Sequence, residues 1–86
     1  MIVVTHRTFD KKFIKLTPKL RERFRERRNL FLKSPTHPLL DNHALKGDRM
    51  GQWSINITGD WRALYEFQSA GTIIFVEIDT HSNLYK

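Results

Sequence analysis

Apolar residues recur with two different periods along this chain. Between Thr8 and Leu16 they fall at Phe9, Phe13 and Leu16, spaced four and three apart, which is the repeat of one helical face. Thr17-Pro18 restarts the pattern. Threonine is a good N-cap, and proline is tolerated at the first helical position, where its missing N–H is not needed. Leu20, Phe24, Arg27 and Phe31 then share a face, with Leu30 beside it. Ser34-Pro35 ends the run, because a residue ahead of proline is pushed out of the α region. The pattern predicts two helices joined through a sharp break, as a hairpin.

From Gln52 onward the period is two. Trp53, Ile55 and Ile57 alternate with Ser54, Asn56 and Thr58, and Thr58-Gly59 makes a turn. Trp61, Ala63, Tyr65 and Phe67 alternate with Asp60, Arg62, Leu64 and Glu66, and Ser69-Ala70-Gly71 makes the next turn. Ile74, Val76 and Ile78 then oppose Ile73, Phe75, Glu77, Asp79 and His81, with His81 at the end of the last strand. Short turns between neighbouring strands predict an antiparallel meander. Its apolar sets, Ile74, Val76 and Ile78 among them, are expected to face the helices. The β-branched run Ile2-Val3-Val4 adds an edge strand. The expected class is α+β: an N-terminal helical hairpin packed on one face of a small, mostly antiparallel sheet, as a single domain over residues 1–86.

Composition narrows the setting. A chain of 86 residues has room for one modest core. It holds no cysteine, so neither a disulfide framework nor a thiolate metal site is available. No apolar run approaches a membrane span, and Met1-Ile2-Val3-Val4 is too short for a signal sequence. The expectation is a soluble cytoplasmic protein with no membrane partner. The net charge of +6 is unevenly spread: residues 1–52 carry thirteen Lys/Arg against five Asp/Glu, and residues 53–86 carry two against four. A basic half suits a polyanion, either nucleic acid or an acidic protein. The second predicted helix concentrates it, with Lys19, Arg21, Arg23, Arg25, Arg27, Arg28 and Lys33 opposed only by Glu22 and Glu26. Such a helix can meet RNA phosphates or an acidic partner, and a merely solvated basic face is the plainer reading.

Candidate chemistry lies on the sheet face turned away from the apolar set. Asn56, Asp60, Arg62 and His81 share it and come from three adjacent predicted strands. An exposed sheet face commonly carries mixed polar residues. A carboxylate, a guanidinium and an imidazole, however, are the groups needed to move protons and to neutralise a phosphate. His43 lies in the loop ahead of the sheet, while His6 and His37 fall outside the constellation as surface residues. No two histidines have the close spacing of metal ligands, so neither a metal nor another cofactor is expected.

Three segments, in order, resemble the RelE superfamily of bacterial toxins and within it the YafQ-like branch. They are His43-Ala44-Leu45-Lys46-Gly47, Asp60-Trp61-Arg62-Ala63-Leu64-Tyr65 and Thr80-His81-Ser82-Asn83-Leu84-Tyr85. The resemblance covers residues 39–86; over residues 1–38 it rests on the helical hairpin and the basic charge. It implies the toxin of a type II toxin–antitoxin pair, covered by a cognate antitoxin, acting as a metal-independent endoribonuclease on mRNA in the ribosomal A site. The matching functional positions are His43, Asp60, His81 and the aromatic Tyr85, and Arg62 stands where the superfamily often places a phosphate-binding arginine. Asn56 departs from the pattern by standing where the branch tends to carry another histidine. Asparagine orients a phosphate through hydrogen bonds but exchanges no proton at neutral pH.

The chemistry so implied is a transesterification from the ribose 2′-OH. His81 is the expected general acid and Asp60 or His43 the base, with Arg62 and Lys46 stabilising charge at phosphorus and Tyr85 stacking on a base. The alternative is a basic RNA- or protein-binding module without catalysis.

Overall fold

In the computed structural model, which describes residues 1–85, the chain begins as strand β1 (Ile2–Thr5). His6 then caps helix α1 (Arg7–Phe13), its Nδ1 accepting the Thr8 backbone N–H at 3.0 Å. A histidine expected only to be solvated thus has a structural task. Helix α2 (Pro18–Lys33) starts and stops where its capping residues require. Thr17 Oγ1 accepts the Leu20 N–H at 3.2 Å, proline opens the first turn, and Ser34 closes the last. Arg21 reaches back from α2 and donates to the Leu16 carbonyl at 2.7 Å, just beyond the end of α1.

After two helices the chain forms short strand β2 (His43–Ala44), β3 (Trp53–Asn56), β4 (Trp61–Ser69), β5 (Thr72–Thr80) and one helical turn, α3 (His81–Leu84). The five strands lie in the order β1-β5-β4-β3-β2. Only β1 and β5 run parallel; the other neighbours are antiparallel. Phe9, Phe24 and Phe31 of the helices pack on Ile55, Ala63, Tyr65, Phe75 and Ile78 of the sheet. The Phe9–Phe24 and Phe24–Phe75 centroids stand 5.0 and 5.1 Å apart. These are tilted and edge-on contacts, which suit the ring quadrupoles. Burial raises the Tyr65 pKa, and its hydroxyl donates to Asn42 Oδ1 at 2.8 Å, so the phenol is not left unpaired. Among the described residues, no helix is long and apolar enough to cross a membrane.

Strict alternation fails in β5. Leu64 pairs with Glu77 but its neighbour Tyr65 pairs with Phe75, so Val76 is an extra residue in a β-bulge. Ile73 and Phe75 therefore face the helices, and Ile78 does so beyond the bulge. Ile74 and Val76, expected in the core, turn to the other face. A further difference follows at the strand's end: β5 stops at Thr80, and His81 opens a helical turn rather than closing the strand.

Candidate active site

The sheet face opposite the helices carries a second apolar cluster of Leu45, Leu64 and Leu84, with Val76 packed against it. Val76 reaches it because of the bulge. The cluster draws two segments together over the sheet: the residues following β2, and α3. Arg49 reinforces the contact, with Nε donating to the Leu84 carbonyl at 3.2 Å and Nη1 to Gln52 Oε1 at 3.2 Å. Gln52 in turn donates to Glu66 at 3.0 Å. Between the two segments opens a cleft of about 590 Å³, lined by Leu45, Lys46, Asp48, Arg49, Leu84 and Tyr85. It combines an apolar floor, two cations and an aromatic ring.

His81 and Tyr85 lie one turn apart along the chain, and their rings meet with centroids 4.6 Å apart. The His81 backbone N–H donates to the Asp60 backbone carbonyl at 2.7 Å, which joins the β3–β4 turn to α3. Thr80 Oγ1 caps α3 by accepting the Asn83 N–H at 3.2 Å. Asp79, immediately before, accepts from the Thr80 N–H at 2.7 Å, from Asn83 Nδ2 at 2.9 Å and from Lys12 Nζ at 3.0 Å. Burial opposes the charge on Asp79, yet these donors outweigh it and hold the carboxyl below its ordinary range. Lys12 also meets Glu77 at 2.6 Å. Burial works against its charge too, and the two carboxylates prevail and raise its pKa.

His43 is exposed on β2, a strand rather than the expected loop, opposite Ser54 of β3. Its Nδ1 lies 2.7 Å from the Asp41 carbonyl. A carbonyl only accepts, so in the neutral ring Nδ1 carries the proton and Nε2 is left with a free lone pair. Asp41 offers that carbonyl from a left-handed backbone, φ 44°, which a non-glycine residue adopts at some cost. Strands β3 and β4 separate β2 from β5, which is roughly 14 Å at ordinary strand spacing. The fold thus places Asp60 beside His81, and His43 across the sheet from both.

Of the other expected residues, Lys46 lines the cleft with Tyr85. Arg62 is half-buried, and its Nη1 donates to the carbonyls of Thr58, Gly59 and Trp61 at 3.0, 3.2 and 3.1 Å, closing the β3–β4 turn. Asn56 pairs with Arg62 across the strands, and its Oδ1 is buried without a donor among the described residues. Helix α2 packs on the other side of the sheet through Phe24 and Phe31. Part of its charge is used internally: Arg27 donates to the Leu39 carbonyl at 2.8 Å, and Arg23 and Arg25 pair with Glu26 and Glu22. Arg49, like Asp48 beside it, lines the cleft without having been marked by the sequence. It belongs to no motif, and its role appears only when α3 folds back. Among the described residues, no three His, Asp or Glu side chains gather as a metal-binding group.

No family model matches the chain. A stretch of 39 residues is 41% identical to the endoribonuclease HigB of Proteus vulgaris; it covers 45% of this chain and 42% of that protein, so the match spans less than half of either. The fold superposes on the YoeB/ParE toxin from Agrobacterium tumefaciens with a TM-score of 0.76 at 21% identity, covering 94% of this chain and 99% of that one. It superposes on a chain of the DinJ–YafQ toxin–antitoxin complex of E. coli with a TM-score of 0.75 at 19% identity, covering 98% and 96%. At these identities the structural likeness is one of fold.

Proposed function

We propose that this chain, which has the α+β fold of the RelE-superfamily toxins, is the toxin of a type II toxin–antitoxin pair and cleaves mRNA. One observation carries the reading. Lys46, Arg49 and Tyr85 line one cleft on the sheet face opposite the helices, with the His81 ring against Tyr85, the Asp60 backbone bound to that of His81, and His43 on β2 across the sheet. The short match to an endoribonuclease agrees with it.

The reaction is a transesterification. A base takes the ribose 2′-OH proton, and the oxygen forms a bond to phosphorus as the bond from phosphorus to the 5′-oxygen breaks. An acid protonates that oxygen. The products are a 2′,3′-cyclic phosphate and a 5′-OH. In-line displacement puts acid and base on opposite sides of phosphorus. His81, flanked by Tyr85, serves as acid, and His43, with its free Nε2 across the sheet, serves as base. Asp60, whose backbone carbonyl accepts the His81 backbone N–H, is the second candidate base. Lys46 and Arg49 neutralise the phosphate, with Arg62 contributing the guanidinium nitrogens not bound to the turn. Tyr85 stacks on an unpaired nucleobase. The substrate is mRNA, engaged in the ribosomal A site, and the partner is an antitoxin of the cytoplasm.

Induced expression is expected to arrest bacterial growth, and His81→Ala or Asp60→Ala to relieve the arrest at equal protein level. Purified protein with ribosomes is expected to cut mRNA in EDTA and leave 5′-OH ends. Arrest undiminished in both variants would remove these residues from the site, and activity lost on chelation and restored by metal would replace the mechanism. Asn56, in place of the pattern's histidine, favours a second reading, a module that binds RNA without cutting it. RNA retained intact by the folded protein would select that reading.

A further inference from the structure

Asp79 lies directly across the sheet from Arg62, a natural partner for a carboxylate, yet its side chain bonds elsewhere. Oδ2 accepts from Lys12 Nζ on α1 at 3.0 Å. Oδ1 accepts from the Thr80 N–H at 2.7 Å and from the Asn83 side-chain amide at 2.9 Å. Thr80 precedes His81 and Asn83 follows it by two, so the bonds of this one carboxylate bracket His81. The turn it grips has four residues. A helix so short has almost no stability of its own, because nucleation costs more than one turn of hydrogen bonds returns. What holds it must come from outside. Leu84 docks one end in the apolar cluster, and Asp79 holds the other. The carboxylate is largely shielded, with its side chain 21% exposed, and bonds to an ionised acceptor in such a setting are the strong ones.

We infer that Asp79 is a positioning residue for the cleavage reaction: it fixes the α3 turn so that His81 stays against Tyr85 at the edge of the cleft, while Lys12 anchors its carboxylate from α1. The inference rests on reading the cleft as an RNA-cleaving site. Asp79 acts through His81 and not on the substrate. Its loss therefore lowers the rate of the chemical step and leaves RNA binding intact, since Lys46, Arg49 and Tyr85 remain.

The test compares Asp79→Ala with Asp79→Asn. The alanine variant loses all three bonds, whereas the asparagine variant keeps an oxygen for the Thr80 N–H and Asn83 and gives up the charge and the acceptor opposite Lys12. Expected for Asp79→Ala is a fall in kcat of about 10- to 100-fold, the scale set by misplacing a reacting group by about 1 Å, with KM unchanged. Asp79→Asn is expected to recover most of that loss. The His81 ring-proton resonances, displaced by the neighbouring Tyr85 ring, are expected to move toward free-histidine values in Asp79→Ala and to stay in place in Asp79→Asn. If Asp79→Ala does not fold, Asn83→Ala removes the link on the other side and carries the same comparison. Wild-type kcat with unmoved resonances overturns the inference. So does a loss of kcat with unmoved resonances, which would make Asp79 a charge in the reaction instead. If the wild-type protein cuts no RNA, the nuclease reading fails by itself, and the resonances alone still decide whether Asp79 positions His81.

Discussion

Leu84 has few atoms, but it closes the small cluster under the cleft and is 6% exposed there. Leu84→Ala is expected to cost about 2–3 kcal/mol through lost transfer energy and the cavity left behind. Cleavage should fall further than the melting shift explains, because α3 carries His81 and Tyr85. Melting and cleavage on one sample separate the effects, and full activity would remove α3 docking from the mechanism. Removing residues 84–86 should act in the same direction, although Lys86 lies outside the described residues. Asp79 gives a pH prediction. Burial opposes its charge and the bonds from Asn83, Thr80 and Lys12 overcome it, so its folded pKa lies below the ordinary 3.8. Its stabilisation is complete above that ordinary value and is lost as pH falls through the depressed one. The Tm gap between wild type and Asp79→Asn should therefore be widest near neutrality and close in acid. A gap that stays constant through an acid titration would show that the charge adds nothing.

At the scale of elements, α2 is set by its ends and β5 by its irregularity. Thr17→Ala removes one cap and should cost about 1 kcal/mol. It should leave kcat alone, since α2 lies behind the sheet from the cleft. A denaturant melt and a cleavage assay check both halves, and a drop in kcat would tie α2 to the reaction. The helix boundaries were legible in the sequence because Thr17, Pro18, Ser34 and Pro35 act within a few residues of themselves. The facing of β5 was not. A bulge depends on what lies across the ladder, and nothing in Ile73-Ile74-Phe75-Val76 marks which residue is the extra one.

The whole molecule separates two kinds of positive charge. Lys46 and Arg49 line the cleft, while Lys19 and the basic cluster around it belong to α2, against the opposite face. Binding of a short unpaired RNA should weaken with salt, and Lys46→Ala should lower the log–log slope by about 0.7, one released counterion's worth. Lys19→Ala should leave that slope unchanged. Equal effects from both substitutions would mean that RNA wraps both faces.

The class of fold, the two helices with their caps, the meander and most of its apolar face, and the three motif segments were legible in the sequence. All of these are encoded by neighbours in the chain, through period, capping and turn chemistry. The far side of the sheet was decided only in three dimensions. The bulge turned Val76 toward Leu64, Leu84 closed onto them, and the same closure brought Arg49 to the Leu84 carbonyl and formed the cleft. Arg62 was likewise redirected, by the carbonyls of the β3–β4 turn that its Nη1 meets. A one-residue insertion in a strand and a single helical turn have almost no local signature. Their energy comes from burial against residues far away in the chain, and that is present only once the sheet has formed.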